Sequence, residues 1–215
     1  MMYTFFKKNI TIKRSMSYYP RYYYYGKLME HYEDLSEYFR ILTLIESKTA
    51  LKTNEIIAST EKQIFNQIKK KEIIKKYKQP QFKYKINKKN LKIEIYLYKM
   101  YLGSYRVKLE IHMYENKLFY YNYTFASNIN NQQKQEIIKI IQDKYLHDCL
   151  LDESKQTIID ENQTILLIEN SLELKIHYVN IMDNVIQVMN IYKKHHEEKK
   201  YTYAWKKREE LIQRL

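Results

Sequence analysis

Glycine and proline are almost absent from this chain of 215 residues, since each occurs only twice. Average usage is about 7% Gly and 5% Pro, so turns here must be built from Asn, Asp, Ser and Lys. Walker-type phosphate loops and dinucleotide-binding fingerprints need backbone conformations that glycine alone adopts readily. Nucleotide hydrolysis by a Walker loop and Rossmann-type redox chemistry are therefore excluded.

Cysteine is represented by Cys149 alone. A single cysteine excludes an internal disulfide and a cysteine-based zinc site, which favours a reducing compartment or an organelle matrix. Long apolar runs are missing too, because no window approaches about 18 uncharged apolar residues, and no transmembrane helix is predicted. The sequence indicates no cofactor and no set of metal ligands.

Acidic residues are missing from the first 29 residues, and this composition is typical of an organelle-targeting presequence. A retained arm ending in Tyr22 to Tyr25 would instead order against RNA or a neighbouring subunit. We therefore treat residues 1–27 as a basic, tyrosine-rich arm, and predict the mitochondrial matrix or the nucleus, with the cytoplasm as the alternative. The basic residues of this segment are Lys7, Lys8, Lys13, Arg14, Arg21 and Lys27.

Lysine and tyrosine are abundant instead. The formal net charge is +13, and 24 tyrosines stand against 7 phenylalanines. A basic surface attracts polyanions, and nucleic acid is the usual partner of such a domain. A/T-rich codons explain part of the lysine excess, but phenylalanine codons are equally A/T-rich. The preference for tyrosine thus indicates rings that pack on one side and meet water, phosphate or a partner on the other.

Residues 28–79 are predicted to be a helical segment. Apolar residues recur at three- and four-residue spacing from Leu28 to Ile45, which predicts one helix. A second helical pattern runs from Thr53 to Tyr77 and ends before Pro80, since the residue before a proline disfavours helical backbone. A helix-turn-helix is an alternative interpretation of this segment, with Leu51 to Ser59 as its first helix.

Residues 80–215 are predicted to be an α+β domain. Alternation of apolar and polar residues predicts an antiparallel meander, then a helix capped by Asn130 or Asn131, further short antiparallel strands and a C-terminal helix from about Asp183. The predicted fold class is thus α+β, with two N-terminal helices before the meander. The predicted strands are Leu91 to Tyr98, Tyr105 to Met113, Phe119 to Phe125, Thr157 to Ile159, Thr164 to Ile168 and Leu172 to Tyr178.

Three surfaces are candidates for binding nucleic acid: a lysine-rich helix face, a solvent-facing side of the meander on which bases could stack, and the basic C-terminal helix. On the helix face the candidate residues are Lys69, Lys70, Lys71, Lys75, Lys76 and Lys78. On the meander they are Tyr96, Tyr98, Arg106 and Lys108, and on the C-terminal helix they are Lys193, Lys194, Lys206, Lys207 and Arg208.

A divalent-metal nuclease would need an Asp on one strand and a Glu-x-Lys on the next, an order that Asp160, Glu173 and Lys175 follow. Because Glu-x-Lys recurs elsewhere in the chain, this alternative is subordinate. The sequence favours a non-enzymatic accessory subunit of a larger RNA- or DNA-associated complex, with other protein subunits as partners. A structural subunit of a mitochondrial membrane complex is the first alternative, and the nuclease is the second.

Overall fold

The computed structural model describes residues 25–26, 29–57, 65–88, 91–147 and 149–180, and the single positions 190, 194, 208 and 212. The chain divides into two compact units, Met1–Ile181 and Met182–Leu215. The four described positions of the second unit are helical and exposed. The rest of the predicted C-terminal helix, and the predicted arm up to residue 24, lie outside the described residues. The α+β class is confirmed.

Two helical stretches precede the first strand, namely residues 29–33 and helix α1, Ser36–Glu46. The prediction of one unbroken helix is wrong, because Leu35 adopts the left-handed conformation with φ 65°. The carboxylate of Asp34 accepts a hydrogen bond from the backbone nitrogen of Ser36 at 2.9 Å, where α1 begins. Leu35 is buried despite its backbone strain, so the break keeps this apolar side chain in the core.

The second predicted helix is confirmed only at its C-terminal end. Strand β1, Thr49–Lys52, and a 3-10 turn, Phe65–Gln67, precede helix α2, Lys70–Tyr77. The helix-turn-helix interpretation is wrong, because its first helix would begin inside β1. Helix α2 ends where the sequence predicts, and Lys78 follows it with φ 62°.

In the described residues, eight strands form one sheet in the order β1-β6-β7-β8-β5-β4-β3-β2. Strands β1 and β6 are parallel, and the other neighbours are antiparallel. The predicted positions of β3 to β8 are confirmed, whereas β1 and β2 were not predicted. The bounds are β2 Phe82–Lys88, β3 Leu91–Leu102, β4 Tyr105–Tyr114, β5 Lys117–Phe125, β6 Gln156–Ile159, β7 Thr164–Asn170 and β8 Leu174–Asn180.

Helix α3, Asn131–Tyr145, connects β5 to β6. The predicted cap is confirmed at Asn130, whose side-chain oxygen accepts a hydrogen bond from the nitrogen of Gln133 at 2.9 Å. The Gln133 side chain accepts one in return from the Asn130 nitrogen at 2.9 Å. Both backbone donors would otherwise lack a partner at the start of the helix.

We call the side of the sheet that carries Leu109, Ile111 and Phe125 the back face. These residues belong to one buried apolar cluster that also contains residues of α3 such as Ile137 and Ile141. Helix α2 covers the same face nearer the edge of the sheet, where a tyrosine ring of α2 packs against a tyrosine ring of β3. The back face is therefore a hydrophobic core closed by two helices.

We call the opposite side the front face, and on β4 it carries Lys108, Glu110 and His112. Residues 29–46 cover it: the Tyr32 hydroxyl donates to the Glu110 carboxylate at 2.6 Å, and the Tyr38 hydroxyl lies 2.7 Å from Nδ1 of His112. Glu110 and His112 are 2% and 0% exposed. In front of β4 this half of the interior is thus closed by polar contacts, whereas beside them, on β3, buried apolar residues such as Ile95 and Leu97 close it. None of the helices in the described part of the chain has the length and apolar character needed to span a bilayer.

Candidate functional site

The lysine-rich face of α2 is exposed. Helix α2 buries Ile73 and turns its lysines outward. Its one acid, Glu72, accepts a hydrogen bond from the backbone nitrogen of Lys69 at 2.7 Å and so serves the start of the helix. We name the exposed members, Lys69, Lys71, Lys75, Lys76 and Lys78, the α2 lysine surface.

The α2 lysine surface carries uncompensated charge. Within the described residues, no carboxylate forms an ion pair with any of its five lysines. Lys75 and Lys76 lie in the last turn, where positive charge is favoured by the helix dipole. The helix dipole therefore explains the placement of these two lysines. The other three members of the surface have no partner on α2 and raise the local positive potential.

Lys70 differs from its neighbours because its ammonium group binds Glu94 at 2.7 Å. Lys83 and Lys85 of the edge strand β2 approach the same carboxylate at 3.3 and 3.2 Å. Burial would raise the pKa of Glu94, but hydrogen bonds from Lys70, Tyr96 and Lys85 lower it to about 2. Glu94 is therefore ionised at neutral pH and balances part of the lysine charge beside α2.

The predicted solvent-facing position of Tyr96 and Tyr98 is wrong, because the two side chains are 1% and 5% exposed. Both lie on the back face, where the Tyr98 ring packs 5.4 Å from the ring of Tyr77. The Tyr96 hydroxyl donates to Glu94, and the ammonium groups of Lys70 and Lys83 lie over the Tyr96 ring at 6.0 and 5.2 Å. Neither ring offers an open face on which a base could stack.

The other predicted basic residues differ in their exposure to solvent. Arg106 is exposed, whereas Lys108 is half-buried and binds Glu110 at 3.0 Å. Lys194 and Arg208 are exposed. Lys193, Lys206 and Lys207 lie outside the described residues.

The residues of the nuclease alternative are not brought together. Asp160 accepts hydrogen bonds from the backbone nitrogens of Ile57 at 2.9 Å and Thr164 at 2.8 Å, so it orders the loops at the start of β7. Glu173 lies in the turn at the other end of β7. The six residue steps of β7 span roughly 20 Å, which is far more than two ligands of one metal allow. Among the described residues, no three His, Cys, Asp or Glu side chains form a cluster able to hold a metal ion.

A second candidate is a cavity of about 460 Å³ on the front face, which we call the front cavity. Residues 29–46 line one side with His31, Tyr32, Ser36, Glu37 and Arg40, and the sheet lines the other with Lys108, Glu110, Asn122, Thr124, Lys175 and His177. The sheet residues are neighbours across β4, β5 and β8, since Glu110 pairs with Asn122 and Asn122 with His177.

Glu110 is the centre of this wall. Its Oε2 accepts hydrogen bonds from the hydroxyl of Tyr32 at 2.6 Å and the amide of Asn122 at 3.0 Å, and Lys108 approaches Oε1 at 3.0 Å. Burial would raise the pKa of Glu110, but the imidazole of His112, the charge of Lys108 and the Tyr32 hydroxyl lower it well below its usual range. Glu110 is therefore ionised at neutral pH, and its hydrogen bonds hold it in place.

His112 lies behind this wall, and burial lowers the pKa of its imidazole. It is neutral at pH 7, and its Nε2 faces the ionised Glu110 carboxylate, which favours the tautomer with the proton on Nε2. In that tautomer the Tyr38 hydroxyl donates to Nδ1. Nε2 is 3.8 Å from Glu110, too far for a hydrogen bond, and has no other partner in the described residues.

A second polar cluster adjoins the first. Arg40 binds Glu37 at 2.8 Å and Glu169 at 2.5 Å. His177 bridges the two clusters, with Nε2 at 2.9 Å from Glu169 and Nδ1 at 2.9 Å from the hydroxyl of Tyr120. Burial would raise the pKa of Glu169, but Arg40 and His177 lower it well below its usual range.

Sequence reasoning missed the front cavity. The alternation on β4 assigned Glu110 and His112 to a solvent-facing side, as it would for any half-exposed strand. No local signal separates this side from a solvent-facing one, because Glu110 and His112, like Lys175 and His177, alternate with apolar residues as on any half-exposed strand.

No protein-family model, curated protein or solved structure matches this chain.

Proposed function

We propose that this protein is a non-enzymatic accessory subunit of a nucleic-acid-associated complex, and that it contacts the phosphate backbone through the α2 lysine surface. The observation that carries the proposal is the set of five exposed lysines within ten residues, none of them paired with a described carboxylate. Uncompensated lysines on one helix raise the local concentration of polyanions and hold phosphates by charge.

The contacts are to phosphate rather than to bases. The aromatic side chains that could have read or stacked on bases, Tyr96 and Tyr98, are buried. Lysine ammonium groups are point charges that position a nucleic acid without selecting its sequence. Binding is therefore expected to be independent of base sequence and strongly dependent on salt.

Two titratable groups of the front cavity, Glu110 and Tyr32, support the non-enzymatic part of the proposal. Proton transfer is most effective when the pKa of the acid or base lies near the working pH. The pKa of Glu110 is lowered well below its usual range, while burial raises that of Tyr32 well above its ordinary value. These two groups are suited to holding hydrogen bonds and not to exchanging protons at neutral pH.

Binding to a single-stranded oligonucleotide, measured by fluorescence anisotropy over a salt series, tests this proposal. Each neutralised phosphate contributes a slope of about −0.7 in log K against log salt on single strands. Replacing Lys69, Lys71, Lys75, Lys76 and Lys78 by Gln removes five charges and should make the slope shallower by up to about 3.5. The loss should be the same for oligonucleotides of different sequence.

A matched control carries the same change of charge at exposed lysines away from α2. These are Lys52, Lys99, Lys139, Lys144 and Lys155. Both variants lose the same overall charge, so a difference between them reports the position of the lysines. The control variant should keep most of the affinity and most of the slope of log K against log salt. Equal losses in the two variants would show that only net charge matters, and a flat salt dependence of the unmodified protein would remove the proposal.

A further inference from the structure

The front cavity has the dimensions of a small-molecule site. Its volume of about 460 Å³ falls within the roughly 300–1,000 Å³ typical of ligand pockets. Its sheet wall includes Glu110, Asn122, Thr124 and His177, which are 2%, 3%, 6% and 1% exposed. The wall is thus built from polar side chains that are withdrawn from bulk water and fixed by the strands.

The stability of the fold does not require the wall of the front cavity to be polar. Replacing a buried ion pair by apolar residues of similar volume is often neutral or stabilising. The back face of the same sheet shows that this chain closes an interior with apolar side chains where nothing else is required. A polar wall in front of it therefore points to recognition.

The hydroxyl groups of the cavity define what a ligand must bring. Ser36 donates its hydroxyl proton to the carbonyl oxygen of His31 at 3.1 Å, and Thr124 donates to the side-chain oxygen of Asn122 at 3.2 Å. A hydroxyl that donates within the protein still has lone pairs to accept from a ligand. The complementary ligand carries hydrogen-bond donors, and hydroxyl groups supply them without adding charge.

The charges of the cavity add a second requirement. Arg40 is engaged by Glu37 and Glu169, and Lys108 by Glu110. Lys175 is the remaining cation of the lining, and no carboxylate oxygen of a described residue lies within 4.0 Å of its ammonium group. Three cations face three carboxylates in this region, so a highly charged ligand such as a nucleoside triphosphate does not fit, whereas one oxyanionic group can bind Lys175.

We propose that the front cavity binds a small polyhydroxylated molecule with one oxyanionic group, either a carboxylate or a phosphate ester. Lys175 binds the oxyanion, and the hydroxyls of Ser36 and Thr124 accept hydrogen bonds from the ligand. The site shares no residue with the α2 lysine surface and does not depend on the function proposed there.

Titration calorimetry with three matched probes tests the site: glucose, glucuronate and glucose 6-phosphate. All three are hexopyranoses with similar hydroxyl groups, and only the last two carry an oxyanion, in both cases at C6. We expect at least one of the two anions to bind saturably with Kd of about 1 mM or lower, and glucose to bind at least about tenfold more weakly, a difference of about 1.4 kcal/mol. A preference for glucuronate or for glucose 6-phosphate identifies the carboxylate or the phosphate ester as the recognised group.

Two variants at accessible positions assign the binding to this cavity. Lys175→Gln should weaken the binding of the anion about tenfold or more, and Ser36→Ala should weaken it less, while both keep the affinity for oligonucleotides. Lys139→Gln, at an exposed position of α3, is the control and should change nothing. Absence of saturable binding by both anions would overturn the proposal, as would equal affinity for glucose or binding that Lys175→Gln leaves unchanged.

Discussion

On β4 the two faces of the sheet have opposite chemistry. Behind β4, Ile111 lies in an apolar cluster that includes α3. In front of β4, Glu110 and His112 meet the tyrosines of residues 29–46 through hydrogen bonds, beside the buried apolar residues Ile95 and Leu97 of β3. Burial of apolar surface stabilises in proportion to area, whereas a buried polar network gives little net stability and is costly when one partner is lost. Apolar packing holds the fold together, and the polar part of the front face shapes a cavity.

The largest effect should follow from a cavity in the back face. Phe125 is 1% exposed, so Phe125→Ala removes a buried ring and should lower the free energy of unfolding by about 3–5 kcal/mol in urea denaturation. Tyr101→Ala is the control, because Tyr101 is 69% exposed and its loss should change stability by less than about 0.5 kcal/mol. A loss below about 1 kcal/mol in Phe125→Ala would mean that the back face does not carry the stability.

Acid should lower the free energy of unfolding through titratable groups of the front face. The folded protein holds the pKa of His112 and Glu110 below their ordinary values, so the unfolded chain binds more protons below about pH 6.5 and pH 4.3 respectively. Stability should therefore fall as the pH drops through these values, by about 1.4 kcal/mol for each unit of pKa difference. Urea denaturation from pH 7 to pH 3 measures this loss.

Glu110→Gln removes one of the carboxylates whose pKa the fold lowers, a set that also includes Glu94 and Glu169. The variant should therefore make the pH dependence below about pH 4.3 shallower without abolishing it. Glu161→Gln, at an exposed carboxylate in the turn before β7, is the control and should have no such effect. If Glu110→Gln keeps the slope of the unmodified protein, Glu110 does not contribute to the acid sensitivity.

A smaller effect should come from a single hydroxyl group. Tyr38→Phe removes the hydrogen-bond partner of Nδ1 of His112, and Nε2 of the same ring has no partner among the described residues. The substitution should lower the free energy of unfolding by about 1–3 kcal/mol. Tyr105→Phe is the matched change at the surface, where the hydroxyl donates to Glu136 at 3.1 Å, and should cost less than about 0.5 kcal/mol. Equal costs would show that burial of the Tyr38 hydrogen bond does not matter.

Local signals in the sequence predicted the local elements. Alternation predicted β3 to β8, and a cap at Asn130 or Asn131 was predicted for the start of α3, where the structure has Asn130. Strand β1 was missed because Thr49–Lys52 has no alternation of its own and pairs in parallel with β6, about a hundred positions away. The break at Leu35 was missed because a leucine with positive φ contradicts the usual preference of that residue.

The side of the sheet on which Tyr98 lies was assigned wrongly although the sequence contained the answer. The turn at Gly103 and Ser104 fixes the register of β3 and β4, in which Tyr98 lies opposite Leu109. Directly opposed residues share a face, so Tyr98 belongs with the apolar residues of β4 and not with Arg106 and Lys108. The burial of Glu110, by contrast, depends on a tyrosine 78 positions away, which no local pattern reveals.

We infer that the wall of the front cavity is polar for recognition and not for stability. The free energy of unfolding at pH 7 tests this inference in a variant in which the Glu110 cluster becomes apolar: Tyr32→Phe, Lys108→Met, Glu110→Leu, Asn122→Leu and Thr124→Val together. We predict a free energy of unfolding equal to that of the unmodified protein or up to about 4 kcal/mol higher. A decrease of several kcal/mol would mean instead that the polar wall is part of what holds the fold together.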